Sequence, residues 1–238
     1  SNQKNQQQLQ LQQQLAAKPN PNPNPKPNPN PKPKHKAVKI ELYYMPQCPG
    51  CRQMISNSFR DAFDTPGFSD MADVTFVPYG RTRETKTTRQ YNHVLETCAL
   101  HYLATSTETS SNQNYHHQDL QFRYIDCIDH SRSPHAVEVD LECARVAGLS
   151  EATIERIEEC GSSGEGQELA RRSVRQADSH PTKLHYFPWV VVNNEHTDEM
   201  HQKVWESLFE YVCSIYTGPK RSAHCWEIPD HEIFAEQL

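Results

Sequence analysis

Glu41–Phe59 reads ELYYMPQCPGCRQMISNSF. An apolar, aromatic run stops at Pro46, and two cysteines follow, Cys48 and Cys51, separated by Pro49 and Gly50. Ala37–Met45 (AVKIELYYM) has the β-branched and aromatic content of a strand. Beyond the break, Cys51–Phe63 carries Met54, Ile55, Phe59, Ala62 and Phe63 at helical spacing. Strand, break and helix in that order put Cys48 at a helix start, where backbone N–H groups lack intrahelical partners. Those groups and the helix dipole favour an anion, so a thiol there is inclined to ionise. Cys51, one turn on, is near enough to attack a mixed disulfide formed at Cys48. Arg52 could add to that effect, although a solvated surface charge is its plainer reading.

The C-x-x-C spacing by itself is weak in a chain with eight cysteines, and two other readings stay open. A zinc site needs two further ligands, and the sequence has no second C-x-x-C. His196 and His201 are five apart, but they fall on a turn and a helix in acidic surroundings. Neither a metal nor a cofactor is expected. The remaining alternative bridges Cys48 and Cys51 to other cysteines.

Working outward, Asp73–Gly80 (DVTFVPYG) reads as a second strand, stopped by Pro78 and Gly80. Helices are expected over Asn92–Ala104, Ala136–Leu149, the SEATIERIEECG stretch with Ser150 as N-cap, and Gly164–Ala177, while Leu120–His130 fits helix or strand and is read as helix. Tyr186–Asn193 (YFPWVVVN) is a strong strand beginning after Pro188, NNEHTDE turns the chain, and Met200–Tyr216 forms a last amphipathic helix. A proline entering a buried-looking strand marks an edge or a special turn. A β-α-β start and a strand-rich finish around mostly helical chain predict an α/β fold.

Residues 1–36 differ from the rest. A Gln-rich stretch precedes PNPNPNPKPNPNPKPK, which cannot enter a helix or sheet interior. They are read as a disordered tail, 37–226 as the folded domain with a helical insertion at about 81–183, and 227–238 as a C-terminal tail. The first tail holds six Lys and no acid, which leaves 18 basic and 30 acidic residues for the remainder. That balance argues against nucleic acid as a partner of the domain. The basic tail suits an acidic partner or surface. No apolar stretch is long enough to span a membrane. Eight cysteines favour an oxidising compartment. Cys98, Cys127, Cys143, Cys160, Cys213 and Cys225 are expected to form three structural bridges, with Cys213–Cys225 tying the last helix to the segment after Gly218-Pro219.

The pieces LYYMPQCPGC, VTFVPYG, GLSEATIERIEECGSSGEG, FPWVVVN and VCSIYTG occur in this order. Together they resemble the gamma-interferon-inducible lysosomal thiol reductase family over most of residues 38–225. The resemblance implies a thioredoxin-like fold with a helical insertion and reduction of protein disulfides. It implies Cys48 as the attacking cysteine and Cys51 as its resolving partner. It also implies Pro188 as a cis-proline beside which, with Phe187, the substrate chain lies. One departure is evident. The family's Cys-Gln-His-Gly signature should fall between Gly80 and Cys98, where this chain has RTRETKTTRQYNHVLET.

The function expected is thus a thiol-disulfide oxidoreductase, reductase rather than oxidase or isomerase, in a secreted or lysosomal setting. It would act on disulfide-containing proteins and be recharged by an external thiol. The alternative is a secreted, non-catalytic binding protein on the same scaffold.

Overall fold

Three strands form one sheet in the order β2-β1-β3. The computed structural model describes residues 36–46, 48–80, 88–105, 116–131 and 137–226, with the backbone alone for 88–92 and 137. Apart from Lys36, both expected tails lie outside the described residues.

Strand β1 (Val38–Tyr44) is central. It runs parallel to β2 (Ala72–Pro78), from Val38 opposite Ala72 to Tyr44 opposite Pro78. It runs antiparallel to β3 (Trp189–Val192), from Ile40 opposite Val192 to Tyr43 opposite Trp189. Strand side chains alternate between faces. Val38, Ile40, Leu42 and Tyr44 therefore join the main core with Val190 and Val192. Tyr43 joins Trp189, Val191 and Val77 in a second core on the other face. Burial on both faces explains why WVVV reads as an unbroken apolar run. Beyond β3, Asn193 and Asn194 both adopt positive φ and turn the chain. Lys39 N–H donates to the Asn193 side chain, which fastens that turn to β1.

A parallel pair needs a long crossover. Here it is α1 (Pro49–Met54), a π turn (Ile55–Phe59) and α2 (Arg60–Asp64) in continuous succession. The helix starts two residues before the expected Cys51, because Pro49 suits the first helical position. Thr65 ends it in extended conformation. Gly67, at φ 86°, opens the short α3 (Phe68–Met71) that leads into β2.

Between β2 and β3 lie α4 (Thr88–Thr105), α5 (His117–His130), α6 (Val137–Val146), α7 (Glu151–Ser162) and α8 (Gly164–Asp178). Ser150 caps α7 by accepting from Thr153 N–H. Gln118 of α5 is buried at the open edge of β2, accepting from Val74 N–H and donating to Ala72 O. Its amide stands in for a fourth strand and satisfies an edge that would otherwise be a pairing hazard.

The single helix expected over Met200–Tyr216 is two, α9 (Asp198–Glu206) and α10 (Leu208–Ile215). Ser207 between them is extended, and its side chain accepts from Glu210 N–H. The cause lies elsewhere in the chain. Ser58, in the π turn, donates its hydroxyl to Val204 O and accepts from Leu208 N–H at 2.9 Å. A side chain thus meets the main-chain groups exposed by the break.

The structure pairs Cys98 with Cys160, Cys127 with Cys143, and Cys213 with Cys225, the last as expected from sequence. These bridges tie α4 to α7, α5 to α6, and α10 to the 3-10 turn at Ala223–Trp226. Cys48 and Cys51 carry free thiols.

Candidate active site

Cys48 is the N-cap of α1, with φ −70° and ψ 125°. Its N–H donates to Met45 O, and its carbonyl accepts from Arg52 N–H, each at 3.0 Å. The backbone around the first thiol is therefore fixed on both sides, by the strand exit and by the first helical turn. Its side chain is half-buried, whereas Cys51 is only 1% exposed. Burial pushes the Cys51 thiol far above its usual range, and the Cys48 sulfur and Asp129 push the same way against a lowering backbone contact at Met45. The two sulfurs thus differ in access: one faces the surface, the other faces the core.

Across from the helix start, the Phe187–Pro188 peptide is cis and leads directly into β3. Cys48 Sγ lies 3.9 Å from Phe187 O. A Cβ built on Gly50 would meet Pro188 Cδ at 3.5 Å, so the residue between the cysteines rests against this proline. Phe187 stacks on Tyr79, at the end of β2, with ring centroids 4.9 Å apart. The exposed Met45 and Tyr186 flank these residues in sequence. The structure thus gathers Cys48 and Cys51, after the end of β1, with Phe187 and Pro188, at the entry to β3.

His196 and His201 also come together, with ring centroids 5.7 Å apart. Their setting is aromatic: His196 stacks on Trp189 at 3.5 Å, and Tyr186 meets His201 edge-on at 5.4 Å. Arg52 is not a freely solvated charge. It donates to Asp129 O, and its Nε lies 3.7 Å from Asp129 Oδ1.

Sequence reasoning missed what lies behind Cys51. Glu96, Asp129 and Asp140, from three different helices, converge there with Tyr44. Each acid sits inside an apolar helical pattern, and that misfit was the available signal.

The profile described as "Gamma interferon inducible lysosomal thiol reductase (GILT)" matches residues 39–147. The gamma-interferon-inducible lysosomal thiol reductase of Carassius auratus is 26% identical over 198 residues, covering 78% of this chain and 71% of that protein. The gamma-interferon-responsive lysosomal thiol protein of Arabidopsis thaliana is 24% identical over 182 residues, 76% of this chain and 72% of its own. Over these spans the chain is similar to the GILT family. Among solved structures, MdbA, a thiol-disulfide oxidoreductase from Actinomyces oris, aligns with a TM-score of 0.49 at 14% identity, covering 74% of this chain and 79% of its own. The thioredoxin-like character of this chain rests on its own topology. A β-α-β unit is joined to an antiparallel strand entered through a cis-proline, with helices on both faces of the sheet.

Proposed function

We propose that this protein reduces disulfide bonds in protein substrates, with Cys48 as attacking and Cys51 as resolving thiol. One observation carries the reading. Six cysteines are bridged and two are free, and the free pair meets at a helix start facing Phe187–Pro188. The names of the GILT relatives support it.

The half-buried Cys48 sulfur attacks one sulfur of the substrate disulfide. A Cys48–substrate disulfide forms and the other substrate sulfur leaves as a thiolate. The substrate chain lies along Phe187 and Pro188, where the Phe187 carbonyl is within reach of the reacting sulfur. Cys51 then attacks Cys48, the Cys48–Cys51 bond forms, and the second substrate thiol leaves. Two electrons pass from the pair to the substrate, and an external thiol restores the pair. Three bridges in the described residues fit an oxidising or lysosomal setting rather than the cytosol.

The test is reduction of a denatured disulfide-bonded protein at pH 4.5 and pH 7 with a small thiol as recharging agent. Wild type turns over at one pH or both, and Cys48→Ser does not. Activity that survives Cys48→Ser, or a folded wild type inert at both pH values, refutes the assignment.

A further inference from the structure

The sheet and α1 carry both thiols, yet the groups beneath the buried one come from the helices between β2 and β3. Glu96 on α4, Asp129 on α5 and Asp140 on α6 line one cavity with Cys51. The cavity measures about 10 Å3, room for about one water. Glu96 and Asp140 are 4% and 3% exposed, and the Asp129 side chain 8%. Tyr44 donates its hydroxyl to Glu96. Asp129 Oδ2 is buried with no hydrogen-bond partner in the protein, whereas Asp140 faces the Tyr124 hydroxyl. Buried carboxylate oxygens in that position are costly unless they exchange protons or hydrogen bonds with something in reach. Cys51 needs such a neighbour, because a thiol 1% exposed cannot hand its proton straight to bulk solvent.

We propose that Asp129 accepts the Cys51 proton during the resolving step, directly or through one water in this cavity. This rests on the assignment of Cys48 and Cys51 made above. Of the three acids, Asp129 is the one whose charge Cys51 feels. In the step, the Cys51 S–H bond breaks and its proton goes to the Asp129 carboxylate. The Cys51 thiolate attacks Cys48 Sγ. The Cys48–Cys51 bond forms, the Cys48–substrate bond breaks, and the electron pair leaves on the substrate sulfur, which takes a proton from solvent. When the external thiol later reduces the pair, the proton returns to Cys51.

An ordinary aspartate is too weak a base for this. Burial pushes Asp129 up to about 7; Arg52 on α1 opposes the rise and Asp126 on its own helix adds to it. The other titratable groups facing the cluster are Tyr44 on β1, Tyr124 on α5, and the two partner acids. Asp129 accepts a proton only when ionised. Resolution is therefore fast and flat above about pH 7 and falls about tenfold per unit below it.

Stopped-flow mixing of the reduced protein with 5,5′-dithiobis(2-nitrobenzoate) separates the steps. Cys48 attack releases one equivalent of coloured thiolate, and Cys51 attack on the resulting mixed disulfide releases a second. The second phase of the wild type should plateau above pH 7. In Asp129→Asn it should slow at least tenfold relative to the first phase at pH 8. Arg52→Met should move the bend to higher pH. A wild-type second phase that keeps rising with hydroxide to pH 9 overturns the proposal, as does a folded Asp129→Asn with the wild-type phase ratio. The wild-type profile decides even if the variant fails to fold. A fast first phase in Cys48→Ser would instead overturn the assignment of the pair.

Discussion

The Tyr44 hydroxyl, at the end of the central strand, donates to the Glu96 carboxylate on α4. Burial pushes Glu96 up to about 8, and pushes Asp129 and Asp140 up to about 7. The folded state therefore holds protons on these groups that the unfolded chain, with ordinary carboxyl values near 4, has released. Stability from such groups is fully present below the unfolded value and is lost as pH rises through the folded one. His93, pushed down to about 4 by burial, and His201, lowered by burial first, oppose this only below about pH 6.5. Between pH 6.5 and 8 the acids act alone among these buried groups. The melting temperature should rise by roughly 6–12 °C on going from pH 8 to pH 6.5, from about 3 kcal/mol of linkage. Scanning calorimetry at the two pH values checks it, and a flat or inverted trend would contradict the buried, protonated acids.

Glu96→Gln isolates one of them. The amide oxygen still accepts from Tyr44, and the titration is gone. The variant should be more stable than wild type at pH 8 by about 1–2 kcal/mol and show a shallower pH dependence between 6.5 and 8. Urea midpoints at pH 6.5 and 8 measure both. A variant less stable than wild type at pH 8 would mean that Glu96 works as a charged acceptor.

Ser58→Ala removes the hydroxyl that meets Val204 O and Leu208 N–H across the α9–α10 break. Two buried main-chain groups lose their partner, at about 1–3 kcal/mol each before relaxation. The expected loss is about 2–4 kcal/mol, read from urea unfolding. A cost below 0.5 kcal/mol would show that the break does not depend on this hydroxyl.

The difference in burial between the two free thiols predicts an order of labelling. After mild reduction, iodoacetamide should modify Cys48 many times faster than Cys51, which is 1% exposed. Peptide mapping at short times reads the order. Cys51→Ser should accumulate a mixed disulfide with substrate that gel electrophoresis without reductant detects. Equal labelling of the two cysteines in the folded protein would remove the basis for their separate roles.

The surface-facing half of the site was legible in sequence because it is local. A strand, a proline break and a helix start place Cys48 within a dozen residues, and the apolar FPWVVV run announces β3. The buried half was not legible. Glu96, Asp129 and Asp140 are scattered over α4, α5 and α6, and only the packing of those helices brings them beneath Cys51. The same holds for Gln118 at the edge of β2 and for Ser58, which lies 150 residues from the Leu208 N–H it caps. An amphipathic pattern fixes which face of a helix is buried. It does not say which buried polar group on that face will find which partner.

The three bridges differ in the length of chain they close, and that sets the order of their contributions. Loop-closure entropy grows with the logarithm of the loop. Cys98–Cys160 spans 62 residues, Cys127–Cys143 spans 16 and Cys213–Cys225 spans 12. The chain-entropy relation gives about 4 kcal/mol for the first and about 3 kcal/mol for each of the others. The first also joins α4 to α7 at two fully buried sulfurs, so replacing both with serine leaves hydroxyls in an apolar setting and adds to the loss. Double serine variants, compared by urea unfolding, should rank with Cys98/Cys160 as the most destabilised. A larger loss for Cys213/Cys225 would show that anchoring the segment after α10, rather than restricting the unfolded chain, dominates the contribution of these bridges.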